Sequence, residues 1–199
     1  LTQLLIDHFD QNKQLCALMA LMCFHTARFE ARLDDHGAII LFEDQDRSYW
    51  NQDLINIGMK FLSLSSHDSS LSAYHIEANI AAEHCMASSF ENTNWQNIYK
   101  LYQLLEKLKP NPIIKLNLAI IASKTRGIKA SLKSLEELTK IETLKNYHLL
   151  PATQGVLELM LNKPAKALVY LKKAKALKPS PSESKIISDK IRECEELLK

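Results

Sequence analysis

Capping residues set beside proline recur through the second half of this chain and restrict it to short helices. Asn111-Pro112 couples a good N-cap with proline at the first helical position, where the missing N–H has no helical partner to lose. Ser180-Pro181-Ser182-Glu183 adds the glutamate of a capping box. Pro164 restarts the chain after Asn162, while Pro110 and Pro179 each close a helix, because proline disfavours α backbone in the residue before it. With only 4 Gly and 6 Pro in 199 residues, the chain also lacks the turn residues of an all-β protein. The expectation is an all-α fold.

Taken in order, the apolar spacing gives about nine helices. Leu15, Met19, Met22, Phe29 and Leu33 form one stripe of a first helix of about five turns, ended by Asp34-Asp35-His36-Gly37. Residues 38–42 are the one short extended segment. Trp50, Leu54, Ile57, Phe61 and Leu64 mark a second helix, and Ser63–Ser70 is a polar loop. Leu71–Ala87 is helical, with small residues that permit close packing. Thr93-Asn94-Trp95-Gln96 reads as a capping box opening a helix with Trp95, Ile98, Tyr102, Leu105 and Leu108 on one face. Helices follow over 113–123, from Ile128 to Leu138 after Gly127, and over Tyr147–Leu161, with Pro151 tolerated in the first turn. Leu168, Leu171, Ala174 and Leu177 face inward in the next. The last buries Ile187, Ile191, Cys194 and Leu198.

The apolar fraction, 46%, and the charged fraction, 24%, are those of an ordinary globular protein. No run is apolar and long enough to span a membrane, and no secretory signal is visible, so the expected setting is cytoplasmic. The chain starts at Leu1, in a helix-compatible stretch, as a fragment of a longer protein does. Cys16, Cys23, Cys85 and Cys194 show neither paired nor zinc-ligand spacing and read as reduced small hydrophobes. Net charge is uneven: residues 1–110 hold 8 Lys/Arg against 14 Asp/Glu, and residues 111–199 hold 17 against 9. The two halves therefore differ in sign. Lys163, Lys166, Lys172, Lys173, Lys175 and Lys178 lack aromatic interleaving and read as a solvated helix face.

Polar and aromatic chemistry is densest at Phe42–Trp50. Glu43, Asp44, Gln45, Asp46 and Arg47 precede Trp50 there. An acid site using Asp44 and Asp46 with His75 and His84 is one reading. The other places the carboxylates ahead of a helix N-terminus, with Asp46 as N-cap and Arg47 paired to the three acids. His75 and His84 are nine residues apart, unlike an HExxH zinc helix. The structural reading is adopted, with no catalytic, metal or cofactor site.

The second half carries a faint repeat. Gly155, Ala167, Ala174 and Pro179 fall at tetratricopeptide spacing, and Pro110 lies 69 residues before Pro179, about twice the 34-residue period. Small residues there let antiparallel helices approach. Ser131-Leu132 stands where Ala167-Leu168 does later, and Pro151 and Glu158 replace expected aromatics. The expected architecture is antiparallel helix pairs stacked as a tetratricopeptide-like right-handed superhelix. Residues 1–90 form an N-terminal helical part and 91–199 the array, as one continuous domain.

The stretches ALMALMCFHTARFEAR (17–32), LFEDQDRSYWNQDLINIG (41–58), AYHIEANIAAEH (73–84), NWQNIYKLYQLLEKLKPNPIIKLNLAI (94–120) and YHLLPA (147–152) follow one another in a characteristic order. Together they resemble the C-terminal tetratricopeptide-like extension of bacterial RNA polymerase sigma factors of the extracytoplasmic-function type. The motif positions are Glu43, Asp44, Gln45, Asp46, Arg47, Trp50, Tyr74, His75, Glu77, Trp95, Asn117, Tyr147, His148 and Pro151. Leu118 stands where the family commonly has Arg, and Thr125-Arg126-Gly127-Ile128 replaces its acidic-Gly-Pro turn.

The resemblance implies a non-catalytic regulatory module in transcription initiation, with RNA polymerase and sigma DNA-binding domains as partners. Those DNA-binding domains are absent from this chain, so specific DNA binding by it is not expected, and no membrane is involved. A free-standing scaffold binding an unrelated peptide in the helical groove is the alternative. An enzyme or small-molecule sensor is the third.

Overall fold

The computed structural model describes residues 12–34, 37–66 and 71–199. Among them are ten α-helices and no sheet, packed as sequential antiparallel pairs. They are α1 (Lys13–Thr26), α2 (Gln52–Ser65), α3 (Ala73–Met86), α4 (Trp95–Leu108), α5 (Pro112–Thr125), α6 (Ile128–Leu138), α7 (Glu142–Lys145), α8 (Leu149–Met160), α9 (Pro164–Ala176) and α10 (Pro181–Leu197). The one-turn α7 is the helix that apolar spacing missed. Four residues are too few to display a period. The chain divides into two compact units, residues 1–110 and 111–199.

In the first unit, α1 packs on α2 and α3, and α3 on α4. The core gathers Cys16, Met19, Ala20, Cys23, Phe24, Trp50, Ile55, Phe61, Ala78, Ala81 and Ala82. The long stripe expected for α1 is buried only in part: Met19 is in the core, but Met22, Phe29 and Leu33 are 54%, 55% and 52% exposed. The face that packs is Cys16, Ala17, Met19, Ala20, Cys23 and Phe24, whose small members let α2 come close. Helix α1 also stops at Thr26, well before the expected end. Its last turn is followed by hydrogen-bonded turns to Arg32, then an isolated antiparallel bridge between Leu33 and Ile39. Gly37, at φ +75°, donates to the Asp34 carbonyl and so closes a turn rather than the helix; Asp35 and His36 lie outside the described residues.

Helix α2 keeps Leu54 and Phe61 of its expected stripe against the core but not Ile57 and Leu64. Ile55, Gly58, Phe61 and Ser65 face the core, whereas Ile57 and Leu64 are exposed. The cause lies upstream. Trp50 is outside the helix, and Asn51, not Asp46, is the N-cap, its side chain accepting from Leu54 N at 2.9 Å. The loop expected at Ser63–Ser70 begins only after Ser65, and residues 67–70 lie outside the described residues. The N-cap expected at Thr93 falls one residue later: Asn94 caps α4, accepting from Asn97 N, while the Thr93 hydroxyl donates back to the Ser89 carbonyl.

In the second unit, α5 packs on α6, α8 on α9, and α9 on α10. Its caps are those the sequence announces. Asn111 accepts from Ile113 N at 2.8 Å ahead of Pro112, and Ser180 and Glu183 complete a capping box around Pro181. Pro151 sits buried in the first turn of α8. Leu116, Ala119, Leu135, Leu138, Leu144, Leu150 and Leu157 form one core cluster, and Ala167, Leu171, Ala174, Ile187 and Cys194 another. A Cβ on Gly155 would stand 2.6 Å from Leu171 Cγ, so only glycine permits this approach of α8 and α9. Leu198, expected inside, is exposed.

Candidate functional site

The Phe42–Trp50 segment folds as two one-turn 3-10 helices, Phe42–Asp44 and Arg47–Tyr49. Asp46 caps the second, accepting from Ser48 N at 2.8 Å, and that bond holds its carboxyl below the usual range. Glu43, Asp44 and Asp46 all face solvent. Arg47 does not pair with them. Its Nη1 donates to the carbonyls of His84 and Ala87, each at 2.7 Å, so the guanidinium closes the C-terminal end of α3. Helix C-termini carry unpaired carbonyls and partial negative charge, and a guanidinium answers both more completely than solvent-exposed acids could hold it.

Around Arg47 a cluster assembles that the sequence does not announce. Phe42 meets Trp50, His84 and Phe90 with ring centroids 6.0, 4.8 and 5.8 Å apart, and Trp95 meets His84 and Phe90 at 5.5 and 5.0 Å. Two guanidiniums lie over these rings. Arg28 is 4.2 Å from the Phe42 centroid and 5.1 Å from Trp50; Arg47 is 4.4 Å from Trp50 and 5.8 Å from Phe42. Cation–π contacts of this kind stabilise by about 0.5–2 kcal/mol each, more when desolvated. Gln45 tethers the group, accepting from Arg28 Nη2 at 3.2 Å and donating to the Ile40 carbonyl at 3.3 Å. Asn51 N donates to the Ala27 carbonyl at 2.8 Å, fastening the segment to the end of α1.

The electrostatics follow from burial among cations. His84 is pushed down to about 4, first by desolvation and then by Arg28 and Arg47, so it is neutral near pH 7. Desolvation also lowers Arg28 to about 10 and raises the Cys85 thiol to about 11. Arg28 Nε, Arg47 Nη2, Trp50 Nε1 and His84 Nδ1 are buried without a hydrogen-bond partner among the described residues.

The other marked residues disperse. His75 is buried at the start of α3, where its Nδ1 accepts from Ser72 N at 3.2 Å and its Nε2 lies 3.2 Å from the Ser65 carbonyl. That pattern requires the neutral tautomer protonated on Nε2, and gives His75 the role glutamate plays in a capping box. Nine residues of helix put it about 14 Å along α3 from His84. Asp44, Asp46, His75 and His84 therefore do not form one constellation. Tyr74 is exposed, Glu77 and Asn117 are half-buried, and Tyr147 packs on the core beside Leu144 and Leu150. His148 Nε2 stands 3.1 Å from Glu183 Oε1, at ion-pair length without hydrogen-bond alignment, linking the starts of α8 and α10. Ala167 and Ala174 are fully buried, and Pro179 follows Lys178, which turns at φ +54°.

Comparison with known proteins places part of this chain. Residues 1–66 match the model of a family of unknown function, DUF6596. An uncharacterized protein of Rhizobium meliloti (strain 1021) is 34% identical over 187 residues, which cover 94% of this chain and 44% of that protein. The chain thus spans less than half the length of this relative. No solved structure matches it. No helix among the described residues is long and apolar enough to cross a membrane.

Proposed function

We propose that the chain is a non-catalytic, protein-binding regulatory module of a bacterial transcription initiation factor, the C-terminal extension of an extracytoplasmic-function-type sigma factor. The observation that carries this reading is where the FEDQDR-x-x-W block directs its chemistry. The carboxylates face water, Arg47 closes a helix, and Trp50 fills the core, so the most distinctive residues fasten a helical scaffold. Sequential helix pairs with small-residue contacts at Gly155, Ala167 and Ala174 support a tetratricopeptide-like array, a kind of fold that offers extended surfaces to other proteins. The relative's greater length leaves room for the promoter- and polymerase-binding domains such a module would regulate, in the cytoplasm.

The test is transcription in vitro from the full-length factor with and without residues 1–199, alongside capture of core RNA polymerase and of the isolated sigma domains. Altered promoter output on deletion, with capture of one of these partners, is the expected result. Unchanged output under all conditions contradicts the proposal. Capture of non-transcription proteins alone favours the free-standing scaffold.

A further inference from the structure

We propose that the Arg28–Arg47–Trp50–His84 cluster of the first unit binds a small oxyanion, a phosphate or carboxylate group. Three of the four unpartnered buried atoms there, Arg28 Nε, Arg47 Nη2 and Trp50 Nε1, can only donate, because neither guanidinium nor indole nitrogen has acceptor capacity. A buried donor left without an acceptor is costly, so three in one locality point to an acceptor that the protein itself does not supply. Trp50 is only 3% exposed, and its donor is held in place by ring contact with Phe42 and by Arg47 stacked on it.

Charge sharpens the choice of ligand. Arg28 and Arg47 flank the same two rings and act on each other unfavourably, and neither is within ion-pair distance of a carboxylate among the described residues. Among the described residues Arg28 has the neutral Gln45 oxygen as its acceptor, and Arg47 has backbone carbonyls. Glu91 acts favourably on Arg47, from an exposed position. Two part-buried guanidiniums facing neutral acceptors leave positive charge uncompensated. Water would satisfy the donors but not that charge. An oxyanion does both, with several lone pairs for neighbouring N–H groups, as charge-assisted bonds to guanidinium provide elsewhere.

Both tryptophans of the chain, Trp50 and Trp95, belong to this cluster, so intrinsic emission reads it directly. The full chain is titrated with inorganic phosphate and, separately, acetate, at constant ionic strength with chloride as the matched salt. A saturable emission change and a rising melting temperature with phosphate, acetate or both support the proposal, and the more effective anion identifies the group. Trp50→Phe keeps a ring and deletes one donor, and should weaken binding about tenfold. Arg28→Lys, which keeps charge but loses Nε, should do likewise and serves if the first variant does not fold. An equal response to chloride, no response at all, unchanged affinity in the folded variants, or a crystal grown in phosphate with only water on these atoms overturns it.

Discussion

Gly58 of α2 lies so close to Phe24 of α1 that a Cβ on it would stand 2.7 Å from the ring's Cε1. Phe24 is completely buried and cannot swing aside without opening the core. Gly58→Ala gains about 1 kcal/mol of helix propensity. The overpacking costs about 1–3 kcal/mol or more, since the obstructing ring is held on every side. Net destabilisation of up to about 2 kcal/mol is expected in urea unfolding, against the usual stabilising sign of such a change in a helix.

Ser131 of α6 is fully buried, and its hydroxyl donates a 2.6 Å hydrogen bond to the Ala119 carbonyl of α5. It fills the place in this pair that Ala167 fills between α8 and α9. Ser131→Ala therefore removes one hydrogen bond and little volume, for about 1 kcal/mol. Ser131→Leu should cost clearly more, because the helices cannot separate to admit it. A denaturation series over Ser, Ala and Leu measures the difference.

His84 makes stability depend on pH. Its folded-state pKa, about 4, lies below the unfolded value near 6.5, so the unfolded chain takes up the proton first as pH falls. The contribution is complete above pH about 6.5, is lost progressively as pH falls toward 4, and amounts to about 3 kcal/mol at most. His25, also lowered by burial and by Arg32 and Arg28, adds a smaller slope of the same sign. His84→Gln should flatten most of the stability change across this window, as measured by melting temperature at each pH.

Much of the helical layout was legible because its signals are local. Asn111-Pro112 and Ser180-Pro181-Ser182-Glu183 act through their own backbone, and the structure places them as read. What failed depended on distant partners. Helix α1 is apolar around much of its circumference, so large residues suggested one face while the small residues that admit α2 and α3 defined another. The apolar spacing places Ile57 and Leu64 inward because it counts Trp50 into α2, whereas Trp50 caps the preceding 3-10 turn.

The Phe42–Trp50 block was visible as an oddity of composition. Its partners were not. Arg47 bonds to backbone carbonyls, which leave no trace in the sequence, and Arg28, His84 and Phe90 come from segments far apart along the chain. Only the fold brings the two guanidiniums over one pair of rings.

The proposal that this block fastens the scaffold and carries no catalysis is tested most directly by comparing Trp50→Ala with Asp44→Asn. Trp50 is buried among Phe42, Arg28 and Arg47, and its truncation should cost about 3–5 kcal/mol in urea unfolding. Asp44 is exposed, and Asp44→Asn should change stability by less than about 0.5 kcal/mol and leave transcriptional output intact. An Asp44→Asn protein that remains fully stable yet loses that output would contradict the account.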